Sequence, residues 1–196
     1  MASTKELEDT LPLHDSPDGR SSDTLDKRWP IYPMVAFDEQ ELEQLEHDVN
    51  KAEDSTDCSI LITQPDFSGT TLRDVYEHHM HLRNEHQDIH PSLFIAVDQK
   101  GYKSKGVLIV DLQVMIEHGQ SVIGVLRCGY DDADLYCANL DIGNMSFIDY
   151  KEEEQRLRHG DNPYENHRYF PKEPDQPAPP SGTFHYAWYS NVEMGR

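Results

Sequence analysis

Histidines concentrate in one short stretch of the chain and are its most conspicuous candidates for metal binding. They are His78, His79, His81, His86 and His90. On a helix, His86 and His90 would share one face. His78 and His81 would do the same, and imidazole nitrogens on one face can bind a metal ion. However, Pro91 disfavours helical geometry at His90, and no HExxH spacing is present. We therefore predict no tightly bound zinc, and the candidate metal ligands are His78, His81, His86 and His90.

Carboxylates follow several apolar runs that read as strands. Asp98 and Asp111 each come at the end of such a run, and Asp131, Asp132 and Asp134 come after another. If the second and fourth strands run the same way, Asp98 and the 131–134 group would meet at one end of the sheet, with Asp111 at the opposite end. Clustered carboxylates could bind Mg²⁺ or Ca²⁺, or act as an acid–base pair. The alternative is turn and cap chemistry, for which Asp is favoured.

His79 lies on the apolar stripe of the same predicted helix as the other histidines. It could join the carboxylates, or it could be a hydrogen-bonded residue at the boundary of the core. The candidate catalytic residues are therefore Asp98, Asp131, Asp132 and His79.

No known nucleophile or cofactor motif accompanies these candidates. The sequence contains no G-x-S-x-G motif and no Walker or dinucleotide-binding glycine pattern, so we expect no bound cofactor. The cysteines Cys58, Cys128 and Cys137 are not paired in a metal-type spacing, which favours small buried side chains over ligands.

The net charge and the hydropathy exclude several classes of partner. The formal net charge is −20, which repels nucleic-acid backbones and anionic membrane surfaces. No run approaches the ~18 apolar residues of a membrane span, and the first residues lack the apolar region of a signal peptide. We therefore expect neither nucleic acid nor membrane as a partner, and a cytoplasmic location, with the nucleus left open.

Local patterns predict the elements that must position these side chains. Asp38 and Glu41 form a capping box at the start of an acidic helix over 38–52. A second helix begins after Ser68 or Thr71 and carries the histidines. Strands are predicted at 58–63, 92–98, 106–112 and 121–128, followed by helices at 133–142 and 147–158.

The connections between these elements predict the fold class. The segments 99–105 and 113–120 are too short for crossover helices, so the last three strands should form an antiparallel meander. The segment 29–35 contains two prolines, and we expect it to lie extended against the domain rather than as a central strand. The prediction is an α/β (α+β) fold with a small mixed, largely antiparallel sheet and flanking helices.

Composition divides the chain into four parts. Residues 1–28 are acidic and polar, and we predict that they are disordered. Residues 29–158 form a single α/β domain, and residues 159–182 form a proline-rich linker. Residues 183–196 form an aromatic tail that we expect to be docked, with the segment 184–189 as a possible contact for another protein.

Residues 60–150 resemble a family of small bacterial and fungal proteins that share a domain of unknown function. The matching motifs are Asp66–Phe67–Ser68, Leu93 to Asp98, Val107 to Leu112, and Asn139 to Phe147. The resemblance implies a compact α/β domain without established catalytic residues. Some fungal proteins of this kind are associated with gene clusters for secondary metabolites.

Two hypotheses for the function follow. The first is a non-catalytic accessory or protein-interaction module, in which the domain is a rigid body and the termini contact partners. The alternative is an auxiliary enzyme or accessory protein of a fungal secondary-metabolite pathway, of the mycotoxin type, that uses a carboxylate and histidine site. A cavity onto which Asp98, Asp131, Asp132 and His79 converge would favour the enzyme.

Overall fold

The computed structural model describes residues 3–15, 24, 26–51, 58–116 and 121–157. The predicted linker at 159–182 and the aromatic tail at 183–196 lie outside the described residues and stay predictions. The described part therefore covers most of the predicted domain and half of the amino-terminal segment.

A mixed sheet with flanking helices forms the centre of the fold, as the sequence predicts, but it has five strands rather than four. The strands are β1 (Trp29–Pro33), β2 (Ser59–Leu61), β3 (Leu93–Val97), β4 (Gly106–Met115) and β5 (Ser121–Gly129). Their order across the sheet is β2-β1-β3-β4-β5. β1 is parallel to both β2 and β3, whereas β3, β4 and β5 form the predicted antiparallel meander.

Helices lie on both faces of this sheet. They are α1 (Thr4–Glu8), α2 (Glu39–Val49), α3 (Leu72–Glu85), α4 (Gln99–Ser104), α5 (Ala133–Asp141) and α6 (Phe147–Leu157). The described helices are all too short or too polar to cross a membrane.

The two main crossover helices begin at capping boxes. The Asp38 carboxylate accepts a hydrogen bond from the backbone N–H of Glu41, whose side chain accepts one from the N–H of Asp38. Thr71 and Asp74 form the same reciprocal pair at the start of α3. Each box satisfies backbone donors that the first helical turn leaves unpaired, so the start of each helix is fixed locally.

The proline-containing segment at 29–35 is a central strand, which corrects our expectation. The N–H of Trp29 donates to the residue before β2, and the N–H of Met34 donates to the last carbonyl of β3. Successive residues of a strand point their backbone groups to alternate sides. The nitrogen of Pro30 thus faces β3, but it comes before the first residue of β1 that pairs with β3. The nitrogen of Pro33 faces β2, but it comes after the last residue of β1 that pairs with β2. Neither proline removes a donor from a paired position.

The short connection between β3 and β4 contains the helix α4. Asp98 caps α4 by accepting a hydrogen bond from the N–H of Gly101. A Cβ atom at position 101 would lie 2.3 Å from the carbonyl oxygen of Gly106. Only glycine allows this approach, which lets a short helix close an antiparallel connection.

Two apolar layers enclose the sheet. On one face, α2, α5 and α6 cover side chains that include Trp29, Ile31, Ile95, Ile109 and Leu126. On the other face, α3 covers side chains that include Tyr32, Phe94, Leu108 and Ile123. Because α3 is the only long helix described on the second face, it leaves room there for another segment beside β5.

The amino-terminal segment fills that room, although we predicted that residues 1–28 are disordered. Residues 3–15 contain α1 and pack along β5, with Leu11 buried in the same layer as α3. Glu8 and Asp15 are buried as well, each in contact with a cationic side chain. An acidic composition therefore did not prevent burial here, because the buried carboxylates have charged partners.

Candidate functional site

Asp98 serves a structural role at the carboxyl end of β3. Its two oxygens accept hydrogen bonds from both terminal nitrogens of Arg127, at 2.8 Å and 2.7 Å, and one also caps α4. Burial raises the pKa of Asp98, but the hydrogen bonds from Arg127 and Gly101 outweigh it, and the net shift is downward. The carboxylate is thus ionised and committed to its partners.

The other three catalytic candidates do not converge on Asp98. Asp131 and Asp132 are exposed in the turn after β5, at the same end of the sheet as Asp98. His79 is fully buried on the opposite side of the fold, where its Nδ1 lies 3.1 Å from the Tyr32 hydroxyl. It is also close to Arg83, which donates to the carbonyl of Pro91 near the amino end of β3, whereas Asp98 follows the carboxyl end. Neither of the two main cavities of the described residues is lined by Asp131, Asp132 or His79.

Burial makes His79 a poor general base. Loss of hydration, with smaller effects from Arg83 and His90, lowers the pKa of His79 to about 3. The ring packs 4.8 Å from the Phe94 ring centroid and stays neutral at physiological pH. It is a core residue whose Nδ1 contacts the Tyr32 hydroxyl.

The four candidate metal ligands are also separated. His78 and His81 lie on α3, but His78 packs against Phe67 and Tyr32 whereas His81 is exposed. His86 ends α3 in an extended conformation, so it does not share a helical face with His90. Among the described residues, no three side chains of the metal-ligating types are grouped as a metal site. The absence of zinc stays a prediction.

His90 instead forms a buried pair with Asp141 at the amino end of β3. Its Nδ1 accepts hydrogen bonds from the N–H groups of Ser92 and Leu93, at 3.3 Å and 2.9 Å. That arrangement places the ring proton on Nε2, which donates to Asp141 Oδ1 at 3.0 Å. Both ring nitrogens are therefore used, and the orientation of His90 is fixed.

Asp141 keeps its charge because of these contacts. Burial raises the pKa of Asp141, but hydrogen bonds from His90 and Thr24 more than compensate, and its pKa lies below the usual value. Its position at the end of α5 is unfavourable for a carboxylate, since helix carboxyl ends carry partial negative charge. The histidine proton offsets this disadvantage.

Asp111 faces the same region from β4, and its pKa is displaced in the opposite direction. It pairs with Leu93 on the neighbouring strand, and its Oδ1 accepts the N–H of Gln113 at 2.8 Å. Burial and the negative charge of Asp141 raise the pKa of Asp111 to about 7, although the Gln113 hydrogen bond acts against them. Two nearby carboxyl groups thus have pKa values that are displaced in opposite directions.

A cavity of about 280 Å³ connects these groups. Its polar lining consists of Thr24, His90, Ser92, Asp111, Gln113 and Asp141. The carboxyl groups can donate or accept protons, and the hydroxyl and amide groups can hold a polar molecule. This cavity, which we call the Asp111–Asp141 cavity, is the candidate functional site.

A larger crevice of about 520 Å³ lies at the carboxyl ends of β1 and β3. Ligands of open α/β sheets often bind at such a place, where neighbouring strands connect to opposite faces. Here, however, three of the four polar side chains of the lining bond within the chain. Ser68 bonds to Asp66, Thr70 donates to a backbone carbonyl, and Asp98 is held by Arg127. The crevice lacks the convergent polar groups that the smaller cavity has.

The sequence contained one signal for Asp111 that could have identified it. Its position continues the alternation of Val107 and Ile109, so it points into the same buried face. An acidic residue at an inward position of a strand is unusual and indicates a functional or paired group. Nothing local indicated that His90 would meet Asp141, because 51 residues separate them.

Two asparagines, Asn139 and Asn144, fix the irregular turn between α5 and α6. Asn144 donates to the side-chain oxygen of Asn139 at 2.9 Å, and Asn139 donates to the Tyr150 hydroxyl at 2.9 Å. These bonds hold the turn between α5 and α6 beside the candidate site.

Comparison with known protein families and curated proteins identifies no relative of this chain. No family model matches the chain, and a search of curated proteins found no match. The resemblance of residues 60–150 to a domain of unknown function thus stays a prediction that rests on its motifs.

Proposed function

We propose that this domain carries out general acid–base chemistry on a small polar substrate in the Asp111–Asp141 cavity. The observation that supports it is the pair of carboxyl groups that face one cavity with oppositely displaced pKa values. Near neutral pH, Asp141 is ionised and can accept a proton. Asp111 is protonated in a large fraction of molecules and can donate one.

The charges around the cavity define the class of substrate. Its described lining contains no lysine or arginine, and the chain as a whole carries a net charge of −20. An anionic substrate would be repelled, whereas hydroxyl, carbonyl and amine groups could bond to Thr24, Ser92 and Gln113. The proposed substrate is therefore small and neutral or cationic. This is the carboxylate and histidine enzyme of the sequence hypotheses, with different residues.

Proton transfer can be tested without knowing the natural substrate. The full chain would be incubated in D₂O with small hydroxyketones and amino alcohols, and deuterium incorporation at carbon would be followed by NMR. We expect exchange in at least one compound. Asp111→Asn and Asp141→Asn should each slow it about 10²–10⁴-fold, because each removes one proton-transferring group.

Asp132→Asn is the matched control, since it removes an exposed carboxylate outside the cavity. It should exchange at the rate of the unaltered chain. Equal rates in all three variants, or no exchange with any compound, would contradict acid–base chemistry at this cavity. The accessory-module hypothesis would then be the better account.

A further inference from the structure

The outer edge of β5 is covered by the amino-terminal segment, residues 3–15. The N–H of Ile123 donates to the Leu13 carbonyl at 3.0 Å, and the N–H of Val125 donates to a carboxylate oxygen of Glu8 at 3.0 Å. Farther along, the His14 ring lies 2.7 Å from the carbonyl of Ser121. These contacts satisfy backbone groups of an edge strand that would otherwise be open to another chain.

Two buried cations hold the same segment in place. Lys151 on α6 contacts Glu8 at 3.0 Å and also donates to the carbonyl of Val125. Arg83 on α3 contacts Asp15 at 2.9 Å, and both side chains are fully buried. Residues 3–15 therefore bridge α6 and α3 across the edge of the sheet.

The surface under this segment has the properties of a peptide-binding groove. It offers two backbone donors from β5, one cation on each side, and an apolar layer that receives Leu11. The cations are spaced for acidic side chains seven positions apart, as Glu8 and Asp15 are. Acidic recognition of this kind is specific, because a neutral peptide would leave the buried Arg83 without its carboxylate and Lys151 with Glu154 alone.

We propose that this groove is a recognition site for an acidic peptide segment, and that residues 3–15 are its occupant in cis. The partner that it fits in trans is the same segment of a second copy of this chain. Exchange of a segment between identical chains keeps every contact and needs no new complementarity. The inference concerns the groove alone and does not depend on the acid–base proposal.

The test uses the full chain with a protease site inserted between residues 16 and 23. After folding, the chain would be cut there and diluted to nanomolar concentration. A fluorescent peptide of residues 1–17, which stands for the segment of a second copy, would then be added and its anisotropy followed. We expect the cut chain to bind the peptide, and the uncut chain to bind it at least ~100-fold more weakly, since the tethered segment competes at high effective concentration.

Peptide variants test the specificity of the groove. Asp15→Asn should weaken binding at least ~30-fold, because it leaves the buried Arg83 without its carboxylate. Glu8→Gln should weaken binding less, because Glu154 also contacts Lys151, at 3.2 Å. Asp9→Asn is the control, since Asp9 is exposed and pairs only weakly with Lys5. That variant should bind like the native peptide.

Three results would overturn the proposal. The first is equal binding of all the peptides, which would mean non-specific attraction. The second is loss of the circular dichroism of the folded chain when the cut segment leaves, which would make the segment part of the core. The third is a cut segment that stays bound without exchange for a day at nanomolar concentration.

Discussion

Replacing Asp15 by alanine is expected to lower the free energy of unfolding by about 3–5 kcal/mol. The substitution leaves the Arg83 guanidinium buried without its carboxylate, in a place where neither side chain of the pair reaches solvent. Breaking such a pair costs more than the pair contributes over apolar residues, because the remaining charge cannot recover its hydration. Urea unfolding at pH 7 would measure the change.

Two further variants separate this explanation from a general weakening of the segment. Asp9→Ala lies in the same segment in an exposed pair and should change the unfolding free energy by less than about 0.5 kcal/mol. Asp15→Leu combined with Arg83→Met should recover much of the loss, since apolar side chains of similar volume can replace a buried ion pair. A loss below about 1 kcal/mol in Asp15→Ala would contradict burial of this pair.

The parts of the fold that the sequence predicted correctly depend on neighbouring residues. The capping box at Asp38 lies within four residues of its partner, and Thr71 was one of the two caps predicted for α3. The four strands other than β1 were each visible as a β-prone run. The antiparallel meander followed from short connections. These signals are local, so a single sequence contains them in full.

The parts that were missed depend on partners far along the chain. In the sequence, Glu8 is one of several acidic residues in a polar segment, because Lys151, its partner in a buried ion pair, is 143 residues away. Asp15 meets its arginine across 68 residues. The position of β1 was misjudged for a similar reason, since its prolines are harmful only if neighbouring strands need those donors. Composition alone cannot supply that information.

The candidate site illustrates the same limit. The sequence predicted a pair of carboxylates whose pKa values are displaced in opposite directions, but it placed them at the ends of strands. In the structure, the two carboxyl groups with oppositely displaced pKa values are Asp111, inside a strand, and Asp141, at the end of a helix. Asp98 caps α4, which is the cap chemistry that the sequence left as the alternative. Asp131 and Asp132 lie exposed in the turn after β5.

The second large effect is expected at Asp111, and it is a gain. Because the pKa of Asp111 rises from 3.8 in an exposed carboxyl to about 7 in the folded chain, the folded state binds the proton more tightly than the unfolded state. The carboxyl group thus costs nothing below pH 3.8, and it destabilises the fold increasingly as the pH rises toward 7. Asp111→Asn removes this cost and should stabilise the chain by up to about 4 kcal/mol at pH 8.

The pH dependence of that difference is the decisive measurement. The free energies of unfolding of Asp111→Asn and of the unaltered chain should agree near pH 3.5, diverge between pH 4 and 7, and stay apart by a constant amount above pH 8. Asp132→Asn removes an exposed carboxylate and should show a much smaller divergence. A group that destabilises the fold at neutral pH, but could be replaced by an isosteric amide, is characteristic of a site kept for chemistry rather than stability. If the free energies of unfolding of Asp111→Asn and of the unaltered chain change with pH in parallel, the pKa of Asp111 is not raised. The main support for an acid–base site would then be lost.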